Sequence, residues 1–550
     1  MSKAHLPRAL CALVATLLLT LASCAGTPPP KPPVRELPQP AAALLSLAPT
    51  IYGDRTPIKL PDDAGSADAQ AAFGQLAGPS ASHEPALDLV AAVIGKTYAE
   101  EQEVPAQALL QWLFWKCGAA TSPGPVNVFV APPGATGAFA EHIRRLASFV
   151  PTAGEPLTYG VARIQVNGYI AQAIAIGRRH VDLVPLPKSQ PPGAKVQIKL
   201  AVTRPYTDLS LYADQGGPEV TKLPMTQTPD GSFIADVTLP TAPGRYFIEV
   251  IGTQPPPKEG QKGWRTGLLW LPLYVATPEP AAADDFIRHP PKNHPDVSTW
   301  KLQIISAYNE ARKTLGRAPL TAELPASQLA QSRSDEVAAA AELPPPDFGF
   351  NRKLADAGLP SRNVRGYVDE IEYVSEYITL RLLRPAARHT LFDPAMTTIA
   401  IGLTPRQKSL FPRWSSAEYV FEIIRIDPPR EQARLQALMD TARGTPFNNN
   451  APLTIAAQTT VESVCKGGPK PTDAKALFAR AQGLSPTLND RLAVPWIGYD
   501  FGPEDAAAVL QDTKDFTDIG IGVCQGTIDN APGAVMVLML FAKPREAPKP

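Results

Sequence analysis

The chain has 550 residues, with 52 basic against 52 acidic side chains, 62 prolines and five cysteines. On bulk charge that balance excludes nucleic acid as a partner, and the length predicts three to five domains. Past the N-terminal segment no stretch can cross a bilayer. The strongest apolar run, residues 534–542, is far short of the about 20 a spanning helix needs, and it reads as a buried terminal strand.

Lys3 and Arg8 lead into the apolar residues 9–22, a run of signal-peptide length. It closes on Leu21-Ala22-Ser23-Cys24, which resembles the lipobox of bacterial lipoproteins. The resemblance implies a signal over residues 1–23 and lipidation of Cys24. With Ala25 rather than Asp next, it also implies retention in the cell envelope at the outer membrane, whether on the periplasmic or the surface side. Several acyl chains give stable anchoring, because each buried methylene adds ~0.8 kcal/mol and one chain alone is marginal. Residues 24–45 form a tether. Seven prolines between Ala25 and Pro40 predict a polyproline-like chain reaching roughly 50 Å. Once Cys11 leaves with the signal, Cys117, Cys465 and Cys524 remain in an oxidising compartment. Cys465 and Cys524 share the C-terminal segment and are expected to form a disulfide, leaving Cys117 over.

Three stretches repeat one pattern: residues 46–182, 296–427 and 428–545. In the middle stretch, residues 300–315 set Ile304, Tyr308, Ala311 and Leu315 on one helical face. A second helix at 326–341, a short helix ending at Leu359, a further helix at 367–383 and strands at 397–403 and 417–424 complete it. The C-terminal stretch has helices at 434–442 and 452–465, a short helix at 478–484 and strands at 516–523 and 534–542. The first has helices at 87–100, 106–117 and 138–149 and strands at 157–167 and 169–176, with Cys117 in the place of Cys465. Helices gathered before an antiparallel pair predict a multidomain α+β protein, one sandwich in each stretch. Residues 183–277 instead carry strand-like runs punctuated by Pro229-Asp230-Gly231 and Pro243-Gly244, the pattern of an all-β immunoglobulin-like sandwich. Residues 278–295 read as a linker.

In the middle stretch, Tyr308-Asn309-Glu310-Ala311-Arg312, Arg317-Ala318-Pro319-Leu320 and the segment from Arg384 through Pro394 to Gly402 resemble a CAP domain. That is the family of cysteine-rich secretory proteins, antigen 5 and pathogenesis-related proteins, also called SCP-like. The resemblance implies an α-β-α sandwich, degenerate in the first and third copies, with motif positions at Asn363, Pro385, Arg388, Asp393, Pro394 and Gly402. It also implies a cleft in which His and Glu hold a divalent metal. Here the histidine position falls on Ala387, and on Ala507 in the third copy. The glutamate position falls on Arg362, within Ser361-Arg362-Asn363-Val364. No metal ligand, catalytic residue or cofactor is therefore expected at those positions.

Other signals are bland. No Gly-x-Ser-x-Gly elbow, His-Glu-x-x-His or phosphate loop occurs. Asp369, Glu370, Glu372 and Glu376 read as the solvated face of a helix, as do Glu100, Glu101 and Glu103. Trp112, Phe114 and Trp115 read as core, and Asn448-Asn449-Asn450 as a turn. Two function classes follow. One is a non-catalytic envelope protein that binds a lipid, glycan, peptide or protein; the other is a metal-dependent hydrolase with a divergent cleft. The oligomeric state is left open.

Overall fold

The computed structural model describes residues 43–544 apart from 62, 102–104, 106, 147–155, 218, 256–262, 282–295, 341–343, 345–348, 407–412, 471–487, 499–500 and 529–530. Cys24, the signal, most of the tether, most of the linker and the expected short helix at 478–484 lie outside the described residues.

The first body runs through β1 (Ile51–Tyr52), α1 (Ser66–Ala77), β2 (Ala81–His83), α2 (Pro85–Glu101), α3 (Gln107–Lys116), β3 (Ser122–Ala131), α4 (Thr136–Arg145), β4 (Leu157–Val166) and β5 (Tyr169–Arg178). Ten strands follow: β6 (Val181–Leu183), β7 (Leu186–Pro187), β8 (Ser189–Gln190), β9 (Lys195–Val202), β10 (Thr207–Asp214), β11 (Val220–Pro224), β12 (Thr226–Gln227), β13 (Phe233–Thr238), β14 (Gly244–Gln254) and β15 (Trp264–Val275). The middle body comprises α5 (Val297–Thr314), β16 (Thr321–Ala322), α6 (Leu324–Ala339), α7 (Phe350–Asp356), β17 (Ser361–Ile371), α8 (Val374–Leu383), α9 (Pro385–Leu391), β18 (Thr398–Pro405) and β19 (Trp414–Ile423). Last come α10 (Pro428–Arg443), β20 (Asn448–Asn449), α11 (Ala451–Cys465), β21 (Leu488–Gly498), α12 (Pro503–Thr513), β22 (Asp518–Ile528) and β23 (Ala531–Pro544).

Three four-stranded sheets share one topology: β2-β4-β5-β3, β16-β18-β19-β17 and β20-β22-β23-β21. In each, a short strand runs parallel to the next long one, and the remaining neighbours are antiparallel. One helix covers one face of each sheet (α2, α6 or α11). A helix pair flanks the other face (α1 with α4, α5 with α8, α10 with α12). The period-2 alternation of β18 shows how the layers form. Ile399, Ile401 and Leu403 cluster with Trp300, Ile304 and Tyr308 of α5, while Ala400 faces Ala326 and Ala330 of α6.

Gly402 explains how α6 comes so close. A Cβ at Gly402 would stand 2.0 Å from the Ala330 carbonyl oxygen. The same approach recurs in the other bodies, where Cβ atoms at Gly160, Gly520 and Gly522 would fall 2.1–2.3 Å from the backbone of α2 or α11. Between the first and middle bodies, β11-β10-β14-β15-β8 and β12-β13-β9-β6 form two sheets around a shared apolar core that includes Ile198, Leu200, Val237, Leu211, Ile248 and Leu271.

Several expectations need correction. Residues 361–371 form a strand, and the helix expected over 367–383 begins only at Val374. The strand hides in the sequence because the charges of Arg362, Asp369 and Glu370 are answered by ion pairs across the fold. In the first body the leading helix is α1, so Pro85–Glu101 is the second helix and α3 is an addition. Cys117 follows α3 and is therefore not the counterpart of Cys465, which ends α11. Asn448-Asn449-Asn450 is not a free turn. Asn448 and Asn449 pair in parallel with Asp518 and Ile519, and the Asn448 and Asn450 amides donate to the Asp518 carboxylate at 3.1 and 3.0 Å.

Candidate functional site

Helix α9 of the fingerprint segment does not face an open cleft; only the segment's end, Pro394, reaches one. Pro385 starts α9, where a missing amide hydrogen costs nothing, and the helix docks on the outer face of β10 and β14. Glu249 of β14, 1% exposed, accepts from Arg384 Nε and Nη2 at 2.8 and 2.7 Å and from the Ala386 amide at 2.9 Å. One turn on, Arg388 pairs with Asp214 of β10 and donates to the Gly217 carbonyl. Burial pulls the Arg388 guanidinium down to about 10. Trp270 of β15 carries the Arg384 guanidinium 5.4 Å over its ring and meets Trp115 of α3 edge-on at 4.6 Å, so it joins three bodies at one residue. Ala387, at the family's histidine position, is 3% exposed within this contact layer.

The other motif residues hold loops. Asn309 of α5 accepts the Leu320 amide at 2.7 Å and donates to the Leu320 carbonyl at 3.0 Å. Arg312, fully buried, donates to the carbonyls of Ala318, Leu391, Asp393 and Met396. Asp393 folds its carboxylate back onto the Ala395 amide at 2.9 Å, fixing the Asp393-Pro394-Ala395 turn.

That turn forms one wall of an open polar groove of about 620 Å³, lined by Arg362, Asn363, Pro394, Ala395, Thr397, Glu422 and Arg430. A register shift between Arg362 and Arg365 marks a β-bulge in β17, and Asn363 within it sits at φ 56°. Bulges re-aim side chains, and asparagine tolerates the left-handed region. Arg362 makes a two-pronged pair with Glu422 of β19 at 2.8 and 2.7 Å, and the Asn363 amide donates to the same carboxylate at 3.3 Å. Arg430, in the first turn of α10, closes the groove from the C-terminal body. Two guanidiniums, one carboxylate and one amide leave the groove net positive and rich in donors. Such a lining matches the hydrogen-bonding needs of a polar ligand.

A second polar cluster is largely buried. Glu418 of β19, fully buried, accepts from Tyr308 and Tyr377 at 3.0 and 2.8 Å, and Arg381 donates to the Tyr377 hydroxyl while pairing with Asp369 at 2.8 Å. Burial first, and for Tyr308 Glu418 next, push both phenols well above their ordinary value. Buried except at Asp369, this cluster ties the helix pair to the sheet.

The acidic run is not a solvated face. Glu370 pairs with Arg406 and Arg413. Glu376 is 5% exposed, and burial together with Glu372 raises its carboxyl to about 8.

Among the described residues no three His, Cys, Asp or Glu side chains converge to hold a metal. Cys465 and Cys524 are joined by a disulfide, and the buried Cys117 thiol is pushed up to about 12 by burial. The structure thus gathers Asn363 and Pro394 in the groove, sends Pro385 and Arg388 to the β14 face, and leaves Asp393 and Gly402 to local packing. Sequence reasoning missed Glu422, Arg430, Glu249 and Asp214. The visible signal was an acid inside each of two apolar strand runs, Glu422 and Glu249.

No family model matches the sequence, and no curated protein matches it. Among solved structures the chain is similar to an outer surface protein of Borrelia burgdorferi, with TM-score 0.21 and 12% identity over 24% of this chain and 98% of that one. It is similar to a cysteine-rich secretory protein of Staphylococcus aureus, with TM-score 0.21 and 12% identity over 50% of this chain and 89% of that one. An extracellular protein containing an SCP domain from Bacillus anthracis follows, with TM-score 0.19 and 11% identity over 41% of this chain and 77% of that one.

Proposed function

We propose that this protein is a lipid-anchored envelope protein that binds its ligand without catalysis, in a groove built by CAP-like units. Cys24 carries the anchor at the outer membrane and the proline-rich segment sets the stand-off. Three CAP-like α-β-α units and an immunoglobulin-like sandwich form the body. The shared sheet order of the three bodies supports the repeat, and the two strand-only sheets support the sandwich. The observation that carries the reading is the fate of the fingerprint helix. Arg384 and Arg388 are consumed by Glu249 and Asp214, so these residues of the α9 segment serve assembly, while the Arg362–Glu422 groove stays open. A donor-rich groove of this size suits a polar portion of a lipid, glycan or peptide, or a protein loop.

The test is mass spectrometry and elemental analysis of the full chain purified from its native membrane. A co-purifying ligand together with diacylglycerol on Cys24 is the expected result. Stoichiometric zinc, with hydrolytic activity lost on chelation, would instead establish a metal-dependent hydrolase.

A further inference from the structure

Beyond the seat of α9, basic groups from separate elements collect around one phenol. Tyr212 of β10 is 2% exposed, and its hydroxyl accepts from Arg265 Nη2 at 2.7 Å. Arg265 Cζ lies 5.6 Å and Lys222 Nζ 5.9 Å from the ring centre, and the His389 ring of α9 meets the Tyr212 ring at 5.4 Å. Lys222 is the cross-strand neighbour of Tyr212 on β11, so the two side chains leave the same face of the sheet. Arg365 of β17 adds its charge at His389.

Little opposes this charge. Glu249 and Asp214, the carboxylates of this face, are already held by Arg384 and Arg388. Of the charged groups acting on His389, Lys222, Arg265 and Arg365 are cations and only Asp393 is an acid. Burial and those cations hold its imidazole below the usual range. Lys222, Arg265, Arg365 and His389 are all exposed, so the excess faces water. Like charges gathered this way repel, and among the described groups acting on His389 only Asp393 opposes them. A multivalent anion would relieve that repulsion.

We propose that Lys222 and Arg265 of the sandwich, with Arg365 and His389 of the middle body, bind a phosphate-bearing ligand around Tyr212. Arginine presents a planar fork that matches phosphate oxygens, and lysine a mobile point charge. The cation count suits a polyvalent phosphate better than a single carboxylate. Two of the four groups come from each side of the α9 contact, so the site exists only in the docked arrangement. It uses none of the residues that line the groove.

Calorimetry of the full chain in a non-ionic detergent tests this, with inorganic pyrophosphate, glycerol 1-phosphate and citrate as probes. Pyrophosphate or glycerol 1-phosphate should bind, more weakly as salt is added. Lys222→Glu with Arg365→Glu should weaken that binding by about tenfold or more, and Lys195→Glu on β9 should leave it unchanged. If the charge reversals fail to fold, Lys222→Gln with Arg365→Gln should show the same direction of change. Preference for pyrophosphate assigns a free polyphosphate, and preference for glycerol 1-phosphate a lipid-type headgroup; either supports the site. Failure of the wild type to bind both phosphates, equal affinity for citrate, or unchanged affinity in the folded double variant would overturn it.

Discussion

The Glu249 carboxylate holds the Arg384 guanidinium at 2.7 Å and caps the first turn of α9 through the Ala386 amide at 2.9 Å. A nearly fully buried acid on a strand of one body thereby fixes the helix that carries the sequence fingerprint of another. The approach is tight, since a Cβ at Gly267 would stand 2.6 Å from Arg384 Nη2.

Glu249→Ala should release α9. It removes the capping acceptor and leaves Arg384 facing Trp270 without its counter-charge, a loss of about 3 kcal/mol for a broken buried pair. Thermal unfolding should shift down, and hydrogen exchange over residues 385–391 should accelerate. Glu249→Gln, whose amide oxygen can still accept from Ala386, should cost less.

Gly402→Ala should push α6 off the sheet. The new Cβ meets the backbone carbonyl of Ala330, which cannot swing aside as a side chain would. Overpacking of this kind costs about 1–3 kcal/mol, readable as a lower denaturation midpoint with little change in secondary-structure content.

Glu376 sets a pH dependence. Its carboxyl is raised from 4.5 to about 8 by burial and by Glu372, so the folded state holds a proton that the unfolded state has released. Stability from this group is full below pH 4.5 and is lost as pH rises toward 8. Glu376→Gln should flatten the stability profile across that window and raise the midpoint at pH 8 by roughly 2–4 °C, the shift expected for about 1 kcal/mol.

Breaking the Cys465–Cys524 bridge should destabilise the C-terminal body. It closes a separation of 59 residues between α11 and β22, for which the chain-entropy relation gives about 4 kcal/mol. Cys524→Ser should lower the midpoint to that of the reduced wild type, and non-reducing peptide mapping of the native protein should recover the linked pair.

What the sequence showed, and what it hid, follows from where each charge finds its partner. Strands β18, β19 and β23 were legible because their apolar runs are buried on both faces between helix layers. Strand β17 was not. Asp369 and Glu370 read as a solvated helix face, yet Arg381, Arg406 and Arg413 answer them, and Arg362, read only through the resemblance, is answered by Glu422. Asn363 and Pro394, singled out through the resemblance, line the groove. Their neighbour Glu422 was not singled out, because its role depends on Arg362, which lies 60 residues away. Helix α9 misled most. Its residues resemble a family pattern, but Glu249 lies 135 residues before Arg384, and no spacing rule connects them.

The central claim, that the groove binds while Arg384 and Arg388 of the α9 segment serve assembly, is tested most directly by substituting Arg362 and Glu422 together with alanine in the full chain. The measurement is native mass spectrometry of wild type and variant purified from the same membranes. The account predicts, besides any phosphate ligand held at Tyr212, a ligand on the wild type that is lost from a folded Arg362→Ala, Glu422→Ala variant. Retention of that ligand by the variant, or a stoichiometric metal with chelator-sensitive hydrolysis in the wild type, would contradict it.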